Sequence, residues 1–144
     1  MSEIDRIEDR LNALEDRLAI IDLYSTYAIA LDDKDKSLLA ESFDDGSFFE
    51  SANPAVPART GVDANWDRLM HRHGERDFVE RHITPTPIIT KMERDRAETI
   101  AECVIIKRDD GGPIAFEMVG RYEDEIVRKN GRWVFARRRF IPDT

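Results

Sequence analysis

The dipeptide Asn130-Gly131 constrains the fold of this 144-residue chain more than any other short segment. It lies between two segments rich in β-forming residues, Ile114 to Arg128 and Trp133 to Ile141. Asn-Gly favours a type I′ turn, whose twist matches that of two antiparallel strands. The C-terminal part of the chain is therefore predicted to be a long antiparallel hairpin.

The segment before this hairpin is also predicted to be sheet. Ala97 to Lys107 is rich in β-forming residues and is followed by the turn residues Asp109 to Gly112. Val79 to Met92 is predicted to be extended, because Pro85 and Pro87 exclude a helix and favour an edge strand or a bulge. Long strands joined by tight turns imply antiparallel pairing.

The N-terminal segment has the apolar spacing of a helix from about Ile4 to Leu31. Its first apolar residues are separated by alternating steps of three and four, close to a coiled-coil seam: Ile4, Ile7, Leu11, Leu14, Leu18 and Ile21. From Ala19 onward a second apolar face predicts core packing. The early stripe either packs on a neighbouring subunit or folds back on its own domain. The prediction is one domain, residues 1–144, with residues 1–13 as an amphipathic helical extension.

Two shorter helices are predicted, from Ser37 to Phe43 and from Gly61 to His73. Between them, Ser47 to Ser51 is predicted to be a strand that enters a loop over Ala52 to Thr60. Helices that precede the strands indicate an α+β fold, because a βαβ repeat would alternate the two.

Charge and cysteine content exclude several function classes. The net charge of −8 argues against nucleic acid as a partner, since the phosphate backbone requires a basic surface. The run Arg137 to Arg139 lies in an alternating segment, so its three side chains cannot share one face. Cys103 is the only cysteine, which excludes an intramolecular disulfide and a zinc site built from cysteines.

No membrane partner, metal or cofactor is expected. No apolar stretch approaches the ~20 residues that span a bilayer, and the acidic, helical N-terminus is unlike a signal peptide, so a cytoplasmic location is expected. His71 and His73 cannot share a helical face, and no third ligand completes a metal set. The sequence also lacks a glycine-rich phosphate loop.

Four polar residues occur where a core is predicted. Asp32 directly follows the apolar residues that end the long helix, and Tyr27 lies about one and a half turns before it. His82 lies in a predicted strand, and Arg138 alternates in step with Phe140. A carboxylate beside an imidazole in an apolar cavity forms a general base, and an arginine opposite them would hold an anion.

Each of these residues has a structural alternative. Asp32 could cap a helix, His82 could be a structural strand histidine, and Arg138 could pair with an acidic residue across the sheet. The aromatic residues Phe48, Phe49, Trp66 and Phe116 are typical of a core, and some of them could line a substrate pocket.

Beyond these patterns, the chain resembles the SnoaL-like proteins of the nuclear-transport-factor-2-like superfamily from about Leu14 onward. The resemblance rests on these segments: Arg17 to Ser25, Tyr27 to Asp32, Phe43-Asp44-Asp45, Gly120 to Glu125, Asn130 to Trp133 and Phe135 to Arg139. It implies a cone-shaped α+β barrel, in which N-terminal helices pack in a curved, mixed and mainly antiparallel sheet around a deep pocket.

The resemblance also implies a catalytic group. In the dehydratase and dehydrochlorinase members, an Asp at the end of the first helix pairs with a strand His, and Asp32 and His82 stand at those places. The dehydratases have a Tyr where this chain has Tyr27, whereas the dehydrochlorinase has a Lys. An Arg on the last strand matches Arg138.

Two departures from the family pattern bear on the substrate. Some dehydratases carry a further Tyr on the first strand, where this chain has Phe48 and Phe49. The segment Thr84 to Pro87 replaces an Asn-containing stretch that is common after the histidine.

The predicted function is a cofactor-free lyase or isomerase, similar to a dehydratase, that acts on a small, largely apolar carbonyl or hydroxy compound, such as an aromatic or steroid-like molecule. The alternative is a non-catalytic domain for ligand binding or oligomerisation, because the same fold serves as a binding scaffold. The apolar stripe and the exposed sheet face predict a homodimer or homotrimer that assembles through the sheet.

Overall fold

A computed structural model describes residues 1–73 and 78–143. Within these ranges the chain forms three helices and seven strands. The helices are α1 (Glu3–Asp32), α2 (Lys36–Ser42) and α3 (Val62–His73). The strands are β1 (Phe48–Ser51), β2 (Arg59–Thr60), β3 (Phe78–Ile83), β4 (Ile88–Met92), β5 (Arg96–Asp109), β6 (Ile114–Lys129) and β7 (Arg132–Pro142).

Helix α1 begins with a capping box. The Ser2 hydroxyl accepts the Asp5 backbone N–H at 3.0 Å, and the Asp5 carboxylate accepts the Ser2 backbone N–H at 2.9 Å. These two bonds satisfy donors that the first turn of a helix would otherwise leave open. The helix ends at Asp32, and Lys34 then takes a positive φ of 54°. The predicted helix over about Ile4 to Leu31 therefore agrees with the structure.

The strands form one mixed, mainly antiparallel sheet in the order β2-β1-β7-β6-β5-β3, with β4 also paired to β5. Only β1 and β7 pair in parallel among the pairs of described strands. The α+β class predicted from the sequence is confirmed. Two details differ: residues 79–92 divide into β3 and β4 around Pro85 and Pro87, and the predicted loop over Ala52 to Thr60 ends in β2.

The β6–β7 hairpin has the predicted turn. Asn130 and Gly131 have φ values of 53° and 75°, and a type I′ turn requires positive φ at both central positions. From this turn the two strands pair in regular register as far as Ile126 opposite Phe135.

Two β-bulges then change which residues face the helices. On β7, Ala136 is an extra residue, so that Glu125 pairs with Arg137 and Asp124 with Arg138. On β6, Glu117 is an extra residue. Because alternate residues of a strand face opposite sides, each extra residue inverts the alternation beyond it.

The core lies between the inner face of the sheet and the helices. Its centre is a group of aromatic rings in edge-on, tilted and stacked contacts: Tyr24, Tyr27, Phe43, Tyr122, Phe135 and Phe140. Phe43 and Phe135 are fully buried, and burial of a phenylalanine side chain contributes about 1.5–3 kcal/mol to folding.

No helix in the described ranges is long and apolar enough to cross a membrane.

Candidate active site

Asp32 and His82 form a buried hydrogen-bonded pair. The Nδ1 atom of His82 lies 2.7 Å from Oδ1 of Asp32, and the two side chains are 7% and 8% exposed. The backbone N–H of His82 also donates to both carboxylate oxygens at 3.1 Å. An ionised carboxylate can only accept hydrogen bonds. Nδ1 of His82 therefore carries a hydrogen and donates a hydrogen bond to Asp32. In the neutral ring, Nε2 is then left as the basic atom.

The fold brings the two residues together from distant parts of the chain. Asp32 is the last residue of α1, and His82 lies in β3 directly opposite Ile105 of β5. Paired residues of neighbouring strands share a face, and Ile105 is buried toward the helices. The His82 ring therefore points inward, toward the end of α1.

A second carboxylate lies on the other side of the ring. Oε1 of Glu80 is 3.8 Å from Nε2 of His82, and Glu80 is almost fully buried. Because Glu80 and His82 are two residues apart on β3, their side chains share the inner face. The distance exceeds a hydrogen bond but allows a strong charge interaction with a protonated ring.

Arg138 lies fully buried against aromatic rings. Its guanidinium carbon is 3.5 Å from the centre of the Tyr122 ring, 4.3 Å from that of Tyr27 and 4.4 Å from that of Phe135. A fourth ring, that of Tyr24, lies at 4.9 Å. Aromatic faces attract cations, and this attraction offsets part of the cost of burying the charge.

Asp124 is the counter-ion of Arg138. Its Oδ2 atom lies 3.7 Å from Nη2 of Arg138 and accepts the Tyr24 hydroxyl at 2.5 Å. The Thr99 hydroxyl lies 2.6 Å from the same tyrosine oxygen and donates to it, since the tyrosine proton points at Asp124. The sequence analysis gave two possible roles for Arg138, binding an anion or pairing with an acidic residue across the sheet. The structure shows the second, with Asp124 as the acidic residue.

Burial sets the protonation of this network. It raises the pKa of Asp124 to about 6, although Arg138 and the Tyr24 hydroxyl act in the opposite direction. Burial, together with the charge of Asp124, also raises the pKa of Tyr24, so its phenol remains a donor. At neutral pH the network therefore holds an ionised Asp124 against Arg138.

The arginine retains unused donors. Among the described residues, neither Nε nor Nη1 of Arg138 has a hydrogen-bond partner, although both atoms are buried. Buried N–H groups of a charged side chain are costly to leave unsatisfied. A bound anion or carbonyl oxygen would satisfy them.

Cys103 lies between the two pairs. It is fully buried on β5, two residues from Ile105, which pairs with His82, and two residues from Ala101, which pairs with Tyr122. Burial raises the pKa of Cys103, so the thiol stays neutral. The structure thus places the Asp32–His82 pair and the Tyr27–Arg138 pair in one inner region.

The four aromatic candidates are divided between the two faces of the sheet. Phe49 is buried beside Arg138, its neighbour on β7, and Trp66 of α3 packs against the core. Phe48 pairs with Arg137 and so lies on the opposite face. Phe116, expected in the core or the pocket, is 77% exposed.

The bulge on β6 explains the position of Phe116. In a regular strand Phe116 would share the face of Met118, two residues later, which packs against the core. The extra residue Glu117 inverts the alternation, and Phe116 turns outward. Phe48 and Phe116 are thus corrected to the outer face.

Sequence reasoning missed three residues of this region: Glu80, Asp124 and Tyr24. Glu80 could have been found from its two-residue spacing to His82, and Tyr24 from its position one helical turn before Tyr27. Asp124 could not, because the bulge at Ala136 determines which acidic residue lies opposite Arg138.

His71, one of the two weaker histidine candidates, does not join the site. His71 is exposed on α3, and the side chain of His73 lies outside the described part of the structure. In residues 1–73 and 78–143, no three His, Cys, Asp or Glu side chains come together as a ligand set for a metal ion.

The sequence profile described as the SnoaL-like domain matches residues 12–139. No curated protein sequence matches the chain significantly. The matched range includes every residue of the candidate site.

Solved structures share the fold at low sequence identity. A scytalone dehydratase candidate from Novosphingobium aromaticivorans has a TM-score of 0.77 and 23% identity, over 92% of this chain and 87% of its own. The hexachlorocyclohexane dehydrochlorinase LinA-type3 from Novosphingobium barchaimii has a TM-score of 0.81 and 20% identity, over 94% and 91%. A protein of unknown function with a cystatin-like fold from Nostoc punctiforme has a TM-score of 0.76 and 17% identity, over 89% and 91%.

Proposed function

Because the chain belongs to the SnoaL-like domain family, we propose that it is a cofactor-free lyase or isomerase whose general base is His82, held by Asp32. The observation that carries this proposal is the 2.7 Å contact between Nδ1 of His82 and Oδ1 of Asp32, with both side chains buried. A solvent-exposed pair would have favoured a plain binding domain instead.

The proposed first step is removal of a proton next to a carbonyl or a leaving group. The C–H bond breaks, its proton moves to Nε2 of His82, and Asp32 stabilises the imidazolium through Nδ1. Glu80, 3.8 Å from Nε2, adds a second negative charge beside the protonated ring. A positioned general base of this kind typically contributes ~10²–10⁴-fold to the rate.

The proposed second step depends on Tyr27 and Arg138. In an elimination, the electron pair of the C–H bond forms a double bond as the C–O bond breaks, and the leaving oxygen takes the proton of the Tyr27 hydroxyl and departs as water. The proton held by His82 then restores the Tyr27 hydroxyl. In an isomerisation, the electron pair moves onto the carbonyl oxygen, and the free N–H groups of Arg138 donate to that oxyanion until His82 returns its proton to a different carbon. The 4.3 Å contact between Arg138 and the Tyr27 ring supports a shared role.

The proposed substrate is a small, largely apolar carbonyl or hydroxy compound. The inner face supplies Phe49, Trp66 and Tyr122 as apolar surface. The structural neighbours named as a dehydratase and a dehydrochlorinase support elimination chemistry. Tyr27, an acid able to protonate a leaving hydroxyl, favours loss of water over loss of halide.

The test is a panel of aliphatic, aromatic and steroid-like hydroxyketones incubated in deuterated buffer. Mass spectrometry and NMR follow loss of water and uptake of deuterium next to the carbonyl. We expect His82→Ala to abolish both, and the matched control His71→Ala, at an exposed position on α3, to leave both unchanged. Equal turnover by His82→Ala and the intact chain would refute the proposal.

The same panel distinguishes the alternative function. A non-catalytic binding domain would show thermal stabilisation by one of these compounds without water loss or deuterium uptake. This result at several pH values would assign the site to ligand binding only.

A further inference from the structure

The N-terminal part of α1 projects from the domain and is exposed to solvent. Every residue from Met1 to Glu15 is exposed, and the first contacts with the sheet are those of Asp16 with Arg128 and Trp133. A single helix of this length is marginally stable in water, because nucleation is costly and packing normally supplies its stability. The apolar side chains on the segment make its exposure more costly still.

Six apolar residues form a seam along α1: Ile4, Ile7, Leu11, Leu14, Leu18 and Ile21. The first five are between 48% and 68% exposed. Their alternating steps of three and four place Ile4, Leu11 and Leu18 at heptad position a, and Ile7, Leu14 and Ile21 at position d. The next a position is Ser25, so the seam ends at Ile21.

The seam points away from the domain. With about 100° between successive residues, its centre is roughly 180° around α1 from the buried face. That face comprises Ile20, Leu23, Tyr24, Tyr27, Ala28 and Ala30. The seam therefore cannot fold back on its own domain, which was one of the two alternatives that the sequence left open.

The charged residues beside the seam indicate that it pairs with the same helix of another copy of this chain, and that the helices run parallel. Arg10 and Arg17 occupy position g, and Glu15 and Asp22 occupy position e of the following heptad. In a parallel pair of identical helices, g meets the e residue five positions later, so Arg10 meets Glu15 and Arg17 meets Asp22. Only the terminal pair, Glu3 with Glu8, is repulsive.

An antiparallel arrangement brings like charges together. It places e residues opposite e residues, and all three e positions of the seam are acidic: Glu8, Glu15 and Asp22. Repulsion between like charges therefore selects against this direction.

We propose that residues 4–21 form a parallel, three-stranded coiled coil with two further copies of this chain. Isoleucine at both a and d of the first heptad, and leucine at a with isoleucine at d of the third, favour more than two strands. The buried face of α1 stays in its own domain, so each domain is carried at the C-terminal end of the coiled coil.

The test measures the mass of the full chain by sedimentation and light scattering at micromolar concentration. We expect a species of three times the 16.7 kDa chain mass. Leu11→Asn/Leu14→Asn should yield monomers with an unchanged circular dichroism spectrum of the sheet, since both side chains are exposed in the monomer. A monomeric intact chain, or an assembly that this double variant leaves unchanged, would overturn the proposal.

A charge exchange tests the parallel direction. Glu15→Arg places arginine opposite Arg10 and should weaken association by about tenfold or more, since 1.4 kcal/mol corresponds to tenfold. The double variant Arg10→Glu/Glu15→Arg should restore it. Asp9→Arg, with the same charge change at outer position f, is the matched control and should have little effect. Equal effects of Glu15→Arg and Asp9→Arg, or failure of the double variant to restore association, would contradict the parallel direction.

Discussion

Nδ1 of His82 lies 2.7 Å from Oδ1 of Asp32, although 50 residues separate them in the sequence. The contact depends on the end of α1 meeting the inner face of β3, and the carboxylate accepts both the ring N–H and the backbone N–H of His82. Asp32 thus fixes the position of the strand residue as well as the tautomer of its ring.

Glu80 offers a test of how the protonated ring is stabilised. In the proposed reaction, its carboxylate, 3.8 Å from Nε2, would favour the imidazolium formed when His82 takes a proton. We expect Glu80→Gln to lower kcat by on the order of tenfold with a small change in KM, because the charge acts mainly after proton transfer. An unchanged kcat, or an effect confined to KM, would contradict this role. Glu98→Gln, on the outer face of β5, is the control.

Asp124 is predicted to contribute to stability through the hydrogen bond that its Oδ2 atom accepts from the Tyr24 hydroxyl. Loss of a buried acceptor typically costs about 1–3 kcal/mol. We expect Asp124→Leu, which has a similar volume and no acceptor, to lower the free energy of unfolding in urea by this amount at a pH below 6, where the Asp124 carboxyl of the folded chain is mainly neutral. The neighbouring Glu123→Gln should change it by less than about 0.5 kcal/mol, because the Glu123 side chain is exposed. Similar losses for the two variants would contradict the assigned network.

The raised pKa of Asp124 predicts a pH dependence of stability. The folded chain binds the Asp124 proton more tightly than the unfolded chain, whose carboxyl titrates near 3.8. The contribution of this group to the free energy of unfolding is therefore fully present below about pH 4 and is lost as pH rises to about 6. Above about pH 6 the contribution of Asp124 to the free energy of unfolding no longer changes with pH.

The carbon-13 shift of the Asp124 carboxyl measures this titration directly. We expect a midpoint near 6 in the folded chain, because burial raises the pKa of Asp124 to about 6. A midpoint below the unfolded value would show that Arg138 and Tyr24 outweigh burial, and the predicted slope of stability would then reverse, whereas a midpoint equal to that value would abolish the slope.

Local sequence patterns correctly predicted the helices, turns and strand breaks that depend only on residues close together in the sequence. The Asn130-Gly131 turn takes the expected positive φ values, and the periodicity of α1 gave its extent to within one residue at each end. Pro85 and Pro87 marked the break between β3 and β4, because proline cannot donate to a sheet ladder.

The bulges were not predictable from those patterns. Regular pairing from the Asn130-Gly131 turn would have placed Arg138 opposite Glu123 on the exposed face. The extra residue Ala136 shifts it to Asp124 and buries both charges. Whether a strand carries such a residue depends on the packing of the whole sheet, so the outward position of Phe116 also required the three-dimensional structure.

The candidate site was predictable only in part for the same reason. The sequence spacing indicated that Tyr27 and Asp32 share the end of one helix. It could not predict that His82 lies beside Asp32, because that contact depends on the tertiary structure. The family resemblance supplied the pairing, and it did not extend to Glu80 or Asp124.

The most direct test of the account compares Asp32→Asn with Asp33→Asn. Asp33 is the exposed residue directly after Asp32, so both variants remove one charge at the end of α1. The measurement is kcat/KM for deuterium uptake or water loss on a compound of the panel that the intact chain turns over. The account predicts a fall of ~10²–10⁴-fold for Asp32→Asn and a change of less than about twofold for Asp33→Asn. Equal activity of the two variants would contradict the claim that Asp32 holds His82 as the general base.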